Sequence, residues 1–277
     1  FEKKYNGENG VKAMLASEDA FLNGVMVKAL GHFKAYRDAV LSSRDTLIVM
    51  KNNYEPTHYL RNAEGAVEYV AGKKKGVSDV CYIAKLDTEG KPLWTTDIRK
   101  TQEITALSVV SEGVAVMVRQ NEMPNAIVYG SDGKQKLMFS ISEGRPTCMT
   151  NNAITKIYHV CHDINNEQSS IAKLDSLGGK IWDKTLEQIH DVKNILEVDG
   201  GDLLLVGSKN GVGNVLTISA NGELGSANDY FVKEQLSIDV VYRASAQEIC
   251  LICRSENGSM HLVIIDNKAK VTYTTKR

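Results

Sequence analysis

Long apolar runs are absent from this sequence of 277 residues. No stretch approaches the roughly 20 consecutive apolar residues that a membrane-spanning helix needs, and runs such as residues 203–206 have the length of a strand. Proline is scarce, with four residues, while 43% of the chain is hydrophobic. This composition argues against a disordered chain. We therefore expect a folded chain without a membrane-spanning segment.

Clustered positive charge is also missing. The formal net charge is −1, and lysine and arginine are spread along the chain. The one basic run, residues 73–75 (KKK), is short. It is typical of a solvated loop, because three charges neutralise few phosphates. The sequence therefore predicts no nucleic-acid partner.

Cysteine is present in an odd number, five, which cannot pair completely within one chain. Cys250 and Cys253 form a C-x-x-C inside an apolar, strand-like run. Residues three apart on a strand point to opposite faces, so these two thiols cannot share a metal or a disulfide. No second C-x-x-C exists to complete a zinc site. We expect buried thiols and no metal site.

Signatures of catalysis are missing as well. The sequence has no G-x-S-x-G nucleophile elbow, no Walker loop, and no G-x-G-x-x-G between a strand and a helix. The glycine-rich residues 207–213 join two predicted strands, so no helix N-terminus is available there for a phosphate. No catalytic residue can be named and no cofactor is predicted. The sequence leaves enzyme activity open and favours a non-catalytic role.

A repeated phrase is the main positive signal. Residues 84–94 (AKLDTEGKPLW) and residues 172–182 (AKLDSLGGKIW) are nearly the same. Turn signals recur about every 44 residues, and the Asn-Gly and Asp-Gly pairs among them favour tight β-hairpins. The turn signals lie at residues 44–45, 89–90, 132–133, 177–179, 221–222 and 266–267. Such a period indicates a repeat architecture.

Each repeat contains four short strand-like segments, of which the second is the most apolar, as in residues 202–206 (DLLLV). Four antiparallel strands per repeat of this length are typical of a β-propeller blade. We predict an all-β fold, a single β-propeller of six blades, with seven blades as the alternative. Residues 11–20 have helix-forming composition but align with a strand, and a fourth strand is predicted over residues 223–231. The predicted repeats are 1–54, 55–99, 100–143, 144–186, 187–231 and 232–277.

The repeated phrases resemble the tryptophan-docking repeats of quinoprotein-like (PQQ-like) propellers and those of secreted propellers from Bacteroidetes. The resemblance implies that the aspartate caps a turn, the glycine takes a positive φ, and the tryptophan lies on the neighbouring blade. The matching residues are Asp87, Gly90 and Trp94, and Asp175, Gly178 and Trp182. Other repeats have Met50 or Leu137 in place of tryptophan, and no calcium ligands of a quinoprotein cage can be placed. A bound PQQ therefore does not follow.

Function is expected in the loops between second and third strands and in the crossings between blades, which ring the mouth of the central channel. The ligand-binding candidates there are Tyr54, His58, Arg99, Arg145, His162 and His190. The leading hypothesis is a non-enzymatic binding or scaffold propeller that presents one ring face to a protein or glycan. The alternatives are a glycan hydrolase or lyase acting at the channel mouth and, third, a PQQ-like cofactor protein.

The resemblance also implies a secreted protein, or one held in the periplasm or at the outer membrane of a bacterium. No signal peptide is visible, and the sequence opens at Phe1 inside a strand-like segment. A signal peptide or a lipid anchor would then lie upstream of residue 1.

Overall fold

The computed structural model describes residues 53–61, 67–141, 144–165, 168–245 and 247–275. The predicted first repeat, with Met50 and the ambiguous residues 11–20, lies outside these residues except for its last two positions. The described part is built from twenty strands, β1 to β20, which form five four-stranded sheets. Among the described residues, no helix has the length and apolar character needed to cross a bilayer.

The strands follow one another along the chain, four to a sheet. Sheet 1 contains β1 (Tyr54–Arg61), β2 (Val67–Lys74), β3 (Val80–Leu86) and β4 (Pro92–Arg99). Sheet 2 contains β5 (Thr101–Val110), β6 (Gly113–Gln120), β7 (Met123–Gly130) and β8 (Gln135–Ser140). Sheet 3 contains β9 (Arg145–Asn151), β10 (Tyr158–Asp163), β11 (Ser169–Leu174) and β12 (Lys180–Leu186). Sheet 4 contains β13 (His190–Glu197), β14 (Leu203–Lys209), β15 (Val212–Ile218) and β16 (Leu224–Ala227). Sheet 5 contains β17 (Leu236–Arg243), β18 (Glu248–Ser255), β19 (Met260–Asp266) and β20 (Val271–Thr274).

Every sheet is an antiparallel meander in which strands adjacent in sequence are hydrogen-bonded neighbours. Tight hairpins join the third and fourth strands. In sheet 1 the Asp87 carboxylate accepts the backbone N–H groups of Glu89 at 2.9 Å and Lys91 at 2.8 Å. Gly90 completes this turn with φ 77°. Asp175 caps the corresponding turn of sheet 3 in the same way, so a short polar side chain fixes both hairpins.

The interfaces between successive sheets are filled by apolar side chains from both sheets. β6 illustrates the pattern, because successive side chains on a strand point to opposite faces. Val116 packs toward sheet 1 and Met117 packs toward sheet 3, and both are fully buried. Each inner sheet is thus covered on both faces. This explains why the second strands are almost continuously apolar.

The two tryptophans lie against hairpins of the next sheet. A Cβ atom on Gly133 in sheet 2 would come within 2.7 Å of the Trp94 ring, and one on Gly222 in sheet 4 within 3.1 Å of the Trp182 ring. In sheet 2 the position in register with Trp94 is Leu137, as the repeat alignment predicted. The aromatic ring that contacts the sheet 3 hairpin is Phe139 instead, which lies against Gly178.

The strand predicted over residues 223–231 is wrong in its second half. β16 ends at Ala227, and a one-turn helix, α1, follows over Tyr230–Lys233. Asn228 turns the chain, since its side-chain oxygen accepts the N–H of Tyr230 at 2.9 Å. The helix places Phe231 fully buried between sheets 4 and 5. The apolar residues at the end of this predicted strand therefore pack into the core from a helix.

All five cysteines are buried free thiols. Cys253 packs in the core between sheets 4 and 5, whereas Cys250 packs with Ile264 on the other face of sheet 5. The prediction that these two thiols point to opposite faces is confirmed.

Candidate functional site

A cavity of about 600 Å³ opens where the first strands of sheets 2, 3 and 4 begin. We call it the first-strand cavity. Sheet crossings and connections between second and third strands build its walls. Its lining residues are Glu103, Thr105, Arg119 and Pro124 from sheet 2; Gly144, Arg145, Pro146, Asp163, Ile164 and Asn165 from sheet 3 and its borders; and His190 and Asp191 from sheet 4.

Arg145 and Glu103 link two sheets across this cavity. Arg145 Nη2 donates to Glu103 Oε1 at 3.4 Å, and the two side chains are 60% and 45% exposed. An exposed pair of this kind contributes little to stability, about 0–1 kcal/mol. The guanidinium carries five N–H donors, so one long bond leaves most of them available to a ligand. The pair is better suited to recognition than to holding the fold.

His58, on β1, lies close enough to this ion pair for both charges to affect its pKa. It is partly buried, and Thr57 Oγ1 lies 2.8 Å from its Nδ1. Burial lowers the pKa of His58, and the positive charge of Arg145 lowers it further. A hydrogen bond with the Thr105 backbone and the charge of Glu103 partly oppose that shift in pKa. A neutral imidazole at this edge can donate one hydrogen bond and accept another.

The opposite wall of the first-strand cavity is organised by Asp163. Its Oδ1 accepts the Ser169 hydroxyl at 2.5 Å and the backbone N–H of Asp191 at 3.3 Å. This carboxylate therefore ties β10 to the start of β13. His190 begins β13, and its Nδ1 is buried with no hydrogen-bond partner among the described residues.

The six predicted ligand-binding residues divide into two groups. Arg145 and His190 line the cavity, and His58 borders it through Arg145 and Thr105. His162 is buried on β10 behind the wall, where a Cβ on Gly144 would lie 3.2 Å from its ring. The remaining two residues, Tyr54 and Arg99, lie elsewhere.

Tyr54 packs on Tyr82, with ring centroids 4.6 Å apart, on the face of sheet 1 that points away from sheet 2. Arg99 ends β4, where its backbone carbonyl accepts the side-chain amide of Gln120 at 2.7 Å. Neither residue lines the first-strand cavity.

Sequence reasoning missed Glu103, Arg119 and Asp191. Each lies within three residues of a first-strand start or a second-strand end. The signal that could have found them was therefore the strand ends themselves, rather than the loops between the strands.

The chemistry of the first-strand cavity is that of mixed charge. Carboxylates, guanidinium groups and imidazole from three sheets face one open space, so a ligand meets donors and acceptors together. Within the described ranges, no group of three or more His, Cys, Asp or Glu side chains is placed to hold a metal ion.

No known protein-family model matches the chain, and no curated protein sequence matches it. Solved structures do resemble it. The Dos1 propeller is 11% identical with a TM-score of 0.54, over 80% of this chain and 59% of that one. The described part of this chain is a β-propeller. At this identity the likeness shows the fold alone, and five blades are described.

Two other structures align with this propeller. Hydrazine synthase of Kuenenia stuttgartiensis is 11% identical with a TM-score of 0.53, over 76% of this chain and 64% of that one. A protein of unknown function from Bacteroides caccae is 13% identical with a TM-score of 0.48, over 75% and 72% of the two chains. The propeller thus spans less than two thirds of Dos1 and of hydrazine synthase.

Proposed function

We propose that this chain is a non-enzymatic binding propeller that receives a protein or glycan on the face where its first strands begin. The observation that carries the proposal is the first-strand cavity, in which Arg145, Glu103, Asp191 and His190 from three blades face one space. Hydroxyl and amide groups both donate and accept hydrogen bonds, so glycans and polar peptides match such a lining. The open, mixed-charge walls offer recognition without a committed reaction.

The test is a glycan array and a peptide array probed with the purified chain, followed by calorimetry on any ligand found. Arg145→Ala should weaken binding by about tenfold or more, because a charge-assisted hydrogen bond to the ligand is lost. Lys91→Ala is the matched control, since Lys91 forms an exposed ion pair with Glu89 in a hairpin away from the cavity. Equal loss in both variants, or full binding by Arg145→Ala, would contradict the proposal.

The proposal extends to the ring as a whole. We infer six blades, because the repeat period of about 44 residues continues through residues 1–54. The quinoprotein-like character of the repeats is supported by the docking of Trp94 on Gly133 and Trp182 on Gly222. A crystal structure that includes residues 1–54 would count the blades. We infer the secreted or envelope-attached location from the resemblance, and fractionation of the source cells tests it.

A glycan lyase or hydrolase is the second candidate, favoured by His58. Its lowered pKa keeps the imidazole neutral near pH 7, as a general base requires, and it lies beside the Arg145–Glu103 pair. Incubation with any glycan that binds, with product detection by mass spectrometry, distinguishes the two. Turnover abolished by His58→Gln would establish the enzyme, whereas binding without turnover supports the binding propeller.

A further inference from the structure

A second cavity, of about 330 Å³, lies between sheets 3 and 4 at the end where their first strands finish. We call it the His159 cavity. Polar residues of its lining include Asn152, His159, Lys173 and Glu197. β13 runs eight residues from His190 in the first-strand cavity to Glu197 here. At about 3.3 Å per residue, the two cavities lie roughly 23 Å apart.

His159 is the unusual residue of this cavity. It is 2% exposed, and neither ring nitrogen has a hydrogen-bond partner among the described residues. Burial lowers the pKa of His159 to about 4, with the charge of Lys173 adding to the effect. The ring is therefore neutral near pH 7, with one donor and one acceptor both unused. Buried polar atoms nearly always have a hydrogen-bond partner, so we expect a ligand in the cavity to bind this ring.

The same cross-strand row of residues occurs in sheet 1. We call the sheet 1 row closed, because the indole N–H of its tryptophan has a hydrogen-bond partner. In both sheets a residue of the second strand pairs with a lysine of the third strand, which pairs with a tryptophan of the fourth. The centroids of the two outer rings lie 6.2 Å apart in sheet 1 and 5.9 Å apart in sheet 3. The equivalent rows are Tyr69, Lys85 and Trp94 in sheet 1, and His159, Lys173 and Trp182 in sheet 3.

The two rows differ in what the tryptophan contacts. Trp94 Nε1 donates to the carbonyl of Ser131 in the hairpin of the next blade at 2.9 Å. In the sheet 3 row, Lys173 Nζ donates at 2.8 Å to Ala220, the corresponding carbonyl of the next hairpin. Trp182 Nε1 is buried with no partner among the described residues. The lysine has displaced the indole, and a third polar atom is left unused beside His159.

The charges of the cavity are of both signs. Lys173 lies 5.8 Å from the Trp182 ring centroid and keeps two N–H donors beyond its bond to Ala220. Glu197 Oε1 accepts the side-chain amide of Asn152 at 2.5 Å, and its second oxygen has further acceptor capacity. Lys173 and His159 thus bring donors to the lining, while the second imidazole nitrogen and Glu197 bring acceptors.

We propose that the His159 cavity binds a small carboxylic acid that carries an adjacent hydrogen-bond donor, as an α-amino or α-hydroxy acid does. The carboxylate meets the Lys173 ammonium and the imidazole N–H group, and the Trp182 ring lies next to both residues. The neighbouring amine or hydroxyl donates to the second nitrogen of His159 or to Glu197. The volume is at the lower end of the range for small-molecule sites, which suits a ligand of this size. This inference is independent of the proposed function, because the sites lie at opposite ends of the blades.

The chain's two tryptophans make the test direct, since a ¹⁵N-labelled sample gives two indole N–H signals. Trp94→Phe assigns them. The probes are L-alanine, L-lactate and propionate, and the corresponding six-carbon set of L-leucine, its hydroxy acid and its plain acid. We expect the Trp182 signal to shift with the amino or hydroxy acid at millimolar concentration. The plain acid should bind about tenfold more weakly, because it lacks the adjacent hydrogen-bond donor. The Trp94 signal should stay in place.

His159→Tyr installs the residue of the closed row and should abolish the shift while the variant remains folded by circular dichroism. Lys173→Met should weaken binding about tenfold or more. Lys85→Met, in the sheet 1 row, is the matched control and should bind normally. The proposal is overturned if no probe moves the Trp182 signal at 10 mM (about the weakest binding of interest). It is also overturned if His159→Tyr binds as well as the parent, or if a high-resolution crystal grown with the probes shows only waters on His159.

Discussion

Trp94 donates its indole N–H to the backbone carbonyl of Ser131 on the next blade, whereas Trp182, in the equivalent position two blades later, has lost that bond. Both rings lie on a glycine of the neighbouring hairpin, Gly133 for Trp94 and Gly222 for Trp182. The rings thus share their packing and differ in one hydrogen bond.

This difference predicts unequal effects of the same substitution. Trp94→Phe keeps an aromatic ring but loses the bond to Ser131, and should cost about 1 kcal/mol more than Trp182→Phe. Urea unfolding of both variants measures the two free energies. Equal losses would mean that the Ser131 bond contributes nothing in solution.

The docking of Trp94 also makes Gly133 intolerant of a side chain. Gly133 has φ +75°, and a Cβ there would lie 2.7 Å from the ring. Gly76 has nearly the same conformation, φ +73°, with nothing within 4 Å of its Cβ position. Gly76→Ala should cost about 1 kcal/mol through backbone strain alone. Gly133→Ala should cost about 1–3 kcal/mol more through the clash. Thermal or urea unfolding of the pair separates strain from packing.

His159 predicts a dependence of stability on pH. Because the folded state lowers the pKa of His159 from 6.5 to about 4, the unfolded chain binds a proton first as the pH falls. The contribution of the neutral His159 ring to the free energy of unfolding is complete above about pH 7 and falls as the pH drops from about 6.5 to 4. The loss then reaches about 3 kcal/mol. The difference in unfolding free energy between the parent and His159→Tyr, measured at several pH values, isolates this residue from the carboxylates. A difference that does not change between pH 7 and pH 4.5 would contradict the assignment.

The thiols should be silent in the native state. All five are buried, and burial raises the pKa of Cys253 to about 12 and that of Cys250 to about 11. A thiol reagent reacts with the thiolate, so we expect no fast-reacting group in the folded chain and five in urea. Rapid labelling of a native thiol, located by peptide mapping, would show that its strand opens locally.

The propeller was predictable from sequence because its signals are local. Strand alternation, apolar second strands and tight turns are read within one repeat, and residues 202–206 lie almost wholly in β14. The strand predicted through residue 231 failed because burial of Phe231 is a tertiary demand that a short helix also meets. Phe139 escaped notice for a similar reason. Its contact with Gly178 crosses to another blade, and the alignment compares positions only within repeats.

The candidate site was only partly predictable. Arg145 and His190 were found because the sequence places them at blade crossings, which the repeat pattern locates. Glu103 and Asp191 join them only through the packing of three successive blades, and no pattern within one repeat records that proximity. His159 and Trp182 show the same limit. Their unused polar atoms become visible only against the closed row of sheet 1.

Val116 and Met117 on one strand belong to two separate hydrophobic cores. Each inner sheet is therefore mechanically coupled to both of its neighbours. The stability of such an arrangement is approximately the sum of the stabilities of the repeats and of the interfaces between nearest neighbours. A defect in one core should loosen the two blades that share it and fade beyond them. The first-strand cavity and the His159 cavity both include residues of sheets 3 and 4, so loosening of the core between these sheets would affect both cavities.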